Sequence, residues 1–279
     1  MSTKTVAWTL LAVIAFATVL LFNYWASFQP LSTLAYAGIV CALVGLANLA
    51  VPFRFLGIRR RVVGALVLAG GVALAVVALF WPASMIRVAQ PKSRLDAVMP
   101  EYQFFEKHSA RVHARPEQVM QAVRESKFGD MKSVGMLLRI RAAALRIPYQ
   151  GTAELHDMRV LDAFSKSGYL SDSSENQVVM FGGANVRAKG RLDVHTPKEF
   201  ADSREPETVK MAFDFIAEDA GGGWSNVSTE TRVVALGEVS RAMGRYWRLI
   251  VPGSGLLRRE WLGSIKNKAE NMPADAKQP

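Results

Sequence analysis

The chain has 279 residues, a formal net charge of +10 and a hydrophobic content of 50%. The charge divides evenly: residues 1–82 hold five basic residues and no acid, and the rest holds 29 basic against 24 acidic, an excess of five. The basic residues are spread and not gathered into an aromatic-laced stripe, which excludes a nucleic-acid binder, and a single cysteine, Cys41, excludes a disulfide framework.

The first 82 residues contain three apolar runs, at 6–22, 31–51 and 62–81. Each is close to the ~20 residues that a helix needs to cross a ~30 Å hydrocarbon layer. The runs predict three membrane spans, with the first retained as an anchor, since it is long for a signal peptide and no small-residue cleavage site comes after it. Trp8, Phe22, Tyr24, Trp25, Phe53, Phe55, Phe80 and Trp81 fall at the span ends, where amphipathic rings prefer the headgroup level. Gly38 and Ala42, and Gly71 and Ala75, have the four-residue spacing that lets helices approach closely, although Gly and Ala abundance in apolar helices produces the same pattern. No Asp, Glu, His or Lys lies inside a run, which argues against a transport or proton path.

Arg54, Arg59, Arg60 and Arg61 lie in the loop between runs two and three, and the loop at 23–30 is uncharged. The bias puts the arginine loop and the N-terminus in the cytoplasm and the chain after run three outside it, against the opposing weight of Arg87, Lys92 and Arg94. The expected location is the inner or plasma membrane, multi-pass, with the soluble domain extracytoplasmic.

Pro82, Pro91 and Pro100 punctuate 83–100, which reads as a tether. A strand is predicted at 104–114, with Phe104, Glu106, His108, Ala110 and Val112 on one side, ended by Arg115 and Pro116. Val119, Met120 and Val123 supply a helical stripe to about 126, and a second helix covers 131–146 with Val134, Leu137, Leu138, Ala142 and Leu145 on its apolar side, stopped by Pro148. Strand candidates come next at 157–164, 176–186 and 192–201. Val209, Met211, Phe213 and Phe215 then alternate with Lys210, Ala212 and Asp214; three glycines, 221–223, turn the chain, and Val227, Thr229, Thr231 and Val233 alternate with Ser228, Glu230 and Arg232. This is a half-buried antiparallel hairpin. A last helix starts near 239 with Met243, Tyr246, Trp247 and Ile250, breaks at Pro252 and Gly253, and resumes from 255 to about 271 with Leu257, Trp261 and Ile265.

A strand, two helices, antiparallel strands and a long C-terminal helix is the order of the helix-grip fold. Val112-His113-Ala114-Arg115-Pro116-Glu117-Gln118-Val119 resembles the start of proteins in the SRPBCC superfamily, the START and polyketide-cyclase-like group. So do Thr229 to Val233, Tyr246 to Ile250, Pro252, Ser254, Arg258, Arg259 and Lys268 to Glu270, over about 105–271. The resemblance implies an α+β domain whose curved sheet grips the last helix around a hydrophobic cavity, used across the superfamily for lipids, sterols, polyketides or plant hormones. It is nearest to bacterial members without a defined activity, and it implies no catalytic residue. The resulting layout is a three-helix anchor at 1–82, the tether at 83–100, a START-like domain at 101–271 and a tail at 272–279.

Met211, Phe213, Phe215, Val227, Thr229, Thr231, Val233, Met243 and Trp247 are the expected cavity residues, and the aromatic set that includes Trp224 and Trp261 reads equally as solid core. His108, His113, His156 and His195 are scattered without metal-ligand spacing, so no metal and no cofactor is expected. His113 or His195 is the candidate for a base, against a packed or surface role. Ser254 lacks a nucleophile elbow and reads as a helix-linking turn. Gly182 and Gly183 read as a bulge, and Glu230 with Arg232 as an ion pair. The expected function is a membrane-anchored binding module for a hydrophobic or amphipathic, lipid-like small molecule, more in keeping with a binding protein than an enzyme. The expected partners are the lipid bilayer and that ligand, with no nucleic acid. The alternative is an interaction protein that docks a membrane or envelope partner through the basic segment 241–268.

Overall fold

A computed structural model of the chain describes residues 29–50, 61–146 and 156–273. These residues form two compact units. The first contains two apolar helices, α1 (Pro30–Ala50) and α2 (Arg61–Phe80), and a segment of the C-terminal helix, Arg241–Pro252. Both helices are long and apolar enough to cross a membrane. Two of the three predicted spans therefore have a helix behind them, and the run at 6–22 lies outside the described residues, as does most of the arginine loop.

Small residues join α1 to α2. A Cβ added to Gly38 would fall 2.5 Å from the Ala75 nitrogen and 2.7 Å from the Gly71 carbonyl, and one added to Gly71 would collide with the Ala42 nitrogen. The four-residue spacing seen in the sequence is thus a true packing face, because only hydrogen at these positions lets the backbones meet. Away from it the pair is oily: Leu43, Leu66 and Val77 are more than half exposed. Such a surface suits lipid and not water.

The second unit is α+β, built from Ala83–Ser240 and the chain from Gly253 onwards. Its elements in order are β1 (Ile86–Arg87), α3 (Arg94–Val98), β2 (Glu101–Tyr102), β3 (Phe104–Val112), α4 (Pro116–Glu125), a 3-10 turn (Phe128–Asp130), α5 (Val134–Leu145), α6 (Val160–Lys166), β4 (Leu170–Ser173), β5 (Gln177–Asn185), β6 (Gly190–Arg191), α7 (Pro197–Asp202), β7 (Thr208–Gly221) and β8 (Trp224–Ala235). The helix α8 (Val239–Glu270) closes the chain and is shared by the two units. A six-stranded sheet has the order β3-β8-β7-β5-β4, with β6 paired to β5, and every pairing is antiparallel.

The β7–β8 hairpin forms where the alternation placed it. Gly221, Gly222 and Gly223 all take positive φ, the region from which a Cβ is largely excluded, and so turn the chain. Both faces of the sheet are buried. On one, Val112, Val178, Met180, Phe213, Phe215, Ala217 and Val227 pack with Val119, Met120 and Val123 of α4 and with Trp261, Leu262 and Ile265 of α8. On the other, Val179, Phe181, Ala212 and Val234 pack with Leu95, Val98 and Met99, Tyr102 and Phe200. Alternation had read this second face as the solvated side of a half-buried hairpin. It is covered by α3 and α7, and Lys210 and Asp214 on it are 3% and 2% exposed.

Several elements differ from the sequence reading. The proline-punctuated stretch 83–100 holds β1 and α3, and the spacing of Leu95, Val98 and Met99 gives that short helix a fully apolar side, all three being no more than 1% exposed. Residues 157–164, read as a strand, fold mainly as α6, and 192–201 holds the start of α7, capped by Thr196 with Pro197 in its first turn. Gly182 and Gly183 sit in regular register, opposite Met211 and Lys210. A Cβ on Gly182 would lie 3.0 Å from the Tyr169 ring, so close packing and not a bulge accounts for it. Pro252 does not break α8, which runs through it, and Ser254 lies within the helix and not in a turn.

Candidate ligand site

The sheet face beneath residues 253–270 of α8 carries a polar strip beside an aromatic one. Strand β3 places Glu106 opposite Thr231 and His108 opposite Thr229, and on the far side of β8 the same threonines face Phe213 and Phe215. Period two therefore brings a carboxylate, an imidazole and two hydroxyls onto one face. All four are buried, Glu106 to 1% exposure.

Glu106 Oε1 lies 2.7 Å from His108 Nε2. Glu106 Oε2 and Thr231 Oγ1, both inaccessible, have no hydrogen-bond partner among the described residues. A buried unpaired polar atom is destabilising by roughly 1–3 kcal/mol, more if charged, so native proteins seldom leave one without water, an ion or a ligand to meet it.

Helix α8 supplies the cation. The Arg258 guanidinium carbon is 4.7 Å from the centre of the Phe213 ring and 5.3 Å from that of Trp261, and Nη1 is 3.5 Å from Thr229 Oγ1. Burial pushes this guanidinium down to about 10, against the opposing pull of Glu106, Asp214 and Tyr169. The same surroundings push the Tyr169 hydroxyl up to about 12, with burial outweighing Arg141 and Arg258. Trp261 stacks edge-on against Phe215 at 4.5 Å and donates from Nε1 to Ser126 Oγ at 2.9 Å, so its own polar atom is satisfied.

An open cavity of about 390 Å³ lies elsewhere in this unit, lined by Phe128, Gly129, Met131, Lys132, Val134, Gly135, Leu138 and His156. Its apolar walls belong to the same cluster as Phe213, Phe215 and Trp261.

Of the residues expected to line a cavity, Met211, Phe213, Phe215, Val227, Thr229, Thr231 and Val233 share this sheet face. Met243 and Trp247 belong to the other unit, where Trp247 Nε1 donates to Gln29 Oε1 at 3.0 Å. The helix residues at the sheet face come later, at Leu257, Arg258, Trp261 and Ile265. Glu106 and His108 were not singled out, although a carboxylate and an imidazole inside the stripe from Phe104 to Val112 were the signal. His113 and His195 are peripheral: His113 stacks on Trp224 at 4.6 Å, and His195 is exposed beside Asp193. Among the described residues no group of three His, Cys, Asp or Glu side chains is placed to hold a metal.

On the opposite face, Arg232 bridges Asp96 at 2.7 Å and Glu230 at 2.6 Å with its guanidinium over Tyr102, a network that ties α3 to β8. The ion pair read from Glu230 and Arg232 is therefore a structural clamp.

No protein-family model matches the chain, and no curated protein and no solved structure is significantly similar to it. An antiparallel sheet with a long C-terminal helix is compatible with the helix-grip fold.

Proposed function

We propose that this protein is a membrane-anchored binding module of the SRPBCC, START-like type, which holds an amphipathic, lipid-like molecule between its sheet and residues 253–270 of α8. The observation that carries the reading is the pair of buried, unpartnered oxygens, Glu106 Oε2 and Thr231 Oγ1, beside apolar walls. A ligand whose polar group meets those atoms while its apolar body lies against Met211, Phe213 and Phe215 removes the desolvation penalty and adds apolar burial. Anchoring by α1 and α2 keeps the module where such molecules are found. The proposed topology has the N-terminus in the cytoplasm and the module outside it, from the arginine bias. The interaction-protein alternative has less support, because Arg248 and Arg258 are turned to internal partners and Lys266 and Lys268 donate to Arg111 and Glu125 carbonyls.

Solvent extraction of the full-length protein purified in lipid nanodiscs, followed by mass spectrometry, tests the reading. One species should be enriched over bulk lipid and lost from Glu106→Gln and Thr231→Val variants that remain folded. Equal lipid profiles in all three proteins would overturn it.

A further inference from the structure

The Arg241–Pro252 segment of α8 is held to the two apolar helices and the residues that flank them through Trp247, Arg248, Arg245 and Tyr36. Trp247 Nε1 reaches Gln29 Oε1, one residue before α1 begins. Arg248 donates from Nη1 to the Leu79 carbonyl and from Nη2 to the Trp81 carbonyl, each at 2.7 Å, and so satisfies acceptors that the end of α2 leaves open. The Arg245 guanidinium lies 4.8 Å from the centre of the Phe80 ring. Deeper along α1, the Tyr36 hydroxyl donates to the Leu249 carbonyl at 2.5 Å. Tyr36 is six residues past Pro30, about 9 Å along the helix at ~1.5 Å per residue. The segment therefore lies beside the first turns of α1 and the last turn of α2.

Its composition fits that position. It holds three arginines and no acid, with Tyr246 and Trp247 between the last two and Leu249 and Ile250 after them. Arg248 is committed to carbonyls and is 4% exposed. Arg241 and Arg245, four residues apart and so on one side of the helix, make no hydrogen bond or ion pair to the described residues. Phe80 and Trp81 are more than half exposed at the same level, and Leu249 is 41% exposed. Aromatic rings with arginines whose stems lie along apolar surface are the side chains that settle at the headgroup boundary.

We propose that Arg241–Pro252 is a membrane-surface element whose Arg241 and Arg245 bind the phosphates of anionic phospholipids in the bilayer that α1 and α2 cross. The proposal rests on the reading of α1 and α2 as membrane-spanning and goes beyond the ligand site, which lies in the other unit. It makes the C-terminal helix part membrane element and part core of the folded domain, with Pro252 at the changeover.

The test uses the full chain with Cys41→Ser as background, in vesicles of phosphatidylcholine alone or mixed with phosphatidylglycerol. A bimane on Leu249→Cys should be quenched by nitroxide lipids and shielded from aqueous iodide, as should one on Leu43→Cys in α1. Phosphatidylglycerol should be retained over phosphatidylcholine on the purified protein, and R241Q/R245Q should reduce that preference by up to about 25-fold, from about a fivefold effect per arginine. Iodide access at 249 with lipid quenching at 43 overturns the surface element alone. Loss of lipid quenching at both sites overturns the spans and the element together. Unchanged phosphatidylglycerol preference in R241Q/R245Q overturns the phosphate assignment. Emptying the Glu106 site with Thr231→Val leaves all three readouts unchanged, so the two readings fail separately.

Discussion

Thr231 and Asp214 occupy opposite faces of the same hairpin and make opposite demands. Thr231 Oγ1 is buried without a partner among the described residues, so Thr231→Val removes an unsatisfied hydroxyl at nearly constant volume. The ligand-free protein should hold its stability or gain up to about 1 kcal/mol by urea denaturation, while ligand retention falls. A loss of more than about 1 kcal/mol would mean that the hydroxyl is structurally paired. Burial pushes the Asp214 carboxyl up to about 6, although Gln177 Nε2 and the Glu230 N–H both donate to it at 2.9 Å and Arg232 opposes the shift. Between the ordinary value of 3.8 and about 6 the folded state holds a proton that the unfolded chain has released. Stability from this group is thus fully present below 3.8 and is lost as pH rises through 6. Asp214→Asn lacks that titration, whatever constant effect it has on the two hydrogen bonds. Its stability relative to the natural protein should improve by about 2–3 kcal/mol between pH 3.5 and pH 7, from ~1.4 kcal/mol per pH unit. A difference that is the same at both pH values would show that the carboxyl is ordinary.

At the scale of elements, α3 is the sharpest departure from what the residues alone indicated. Prolines at 82, 91 and 100 read as a tether, yet the seven residues from Ser93 to Met99 form a capped helix: Ser93 Oγ accepts from the Asp96 N–H, and Asp96 reaches back to the Ser93 N–H. Leu95→Ala should therefore cost the α+β unit about 2–4 kcal/mol in urea denaturation, as a buried leucine does, whereas a change in a solvated tether would cost nothing measurable. In α8 the misjudged feature was Pro252. A proline removes one intrahelical donor, which argues for a break. The helix continues because its two halves are each held by their own surroundings, the first by Gln29, Tyr36, Leu79 and Trp81 and the second by the sheet. Residues 157–164 and 192–201 were misread for a related reason. Short apolar runs look alike as strand or helix, and Thr196 with Pro197 marks a helix start that alternation alone does not register.

At the scale of the whole molecule, the proposed topology, with the α+β unit outside the cytoplasm, is tested by fusions to the C-terminus. A phosphatase fused after Pro279 should be active and a fluorescent fusion dark, if the arginine loop stays inside. A bright cytoplasmic fusion would place the module among cytosolic lipids and metabolites. Apolar runs without acids, the glycine turn and the alternation of Val209 to Phe215 against Val227 to Val233 were legible without coordinates, because each arises from local chemistry: desolvation of backbone in lipid, positive φ and strand pleating. That Met211, Phe213, Phe215, Val227, Thr229, Thr231 and Val233 share one sheet face was legible for the same reason. What only tertiary structure decided was every pairing distant in sequence. It brought Arg258 over Phe213, left Glu106 Oε2 without a partner among the described residues, covered the second sheet face with α3 and α7, and assigned Met243 and Trp247 to the unit of α1 and α2. These outcomes depend on which surfaces far apart in the chain exclude water from one another, and residue spacing within a segment carries no record of that.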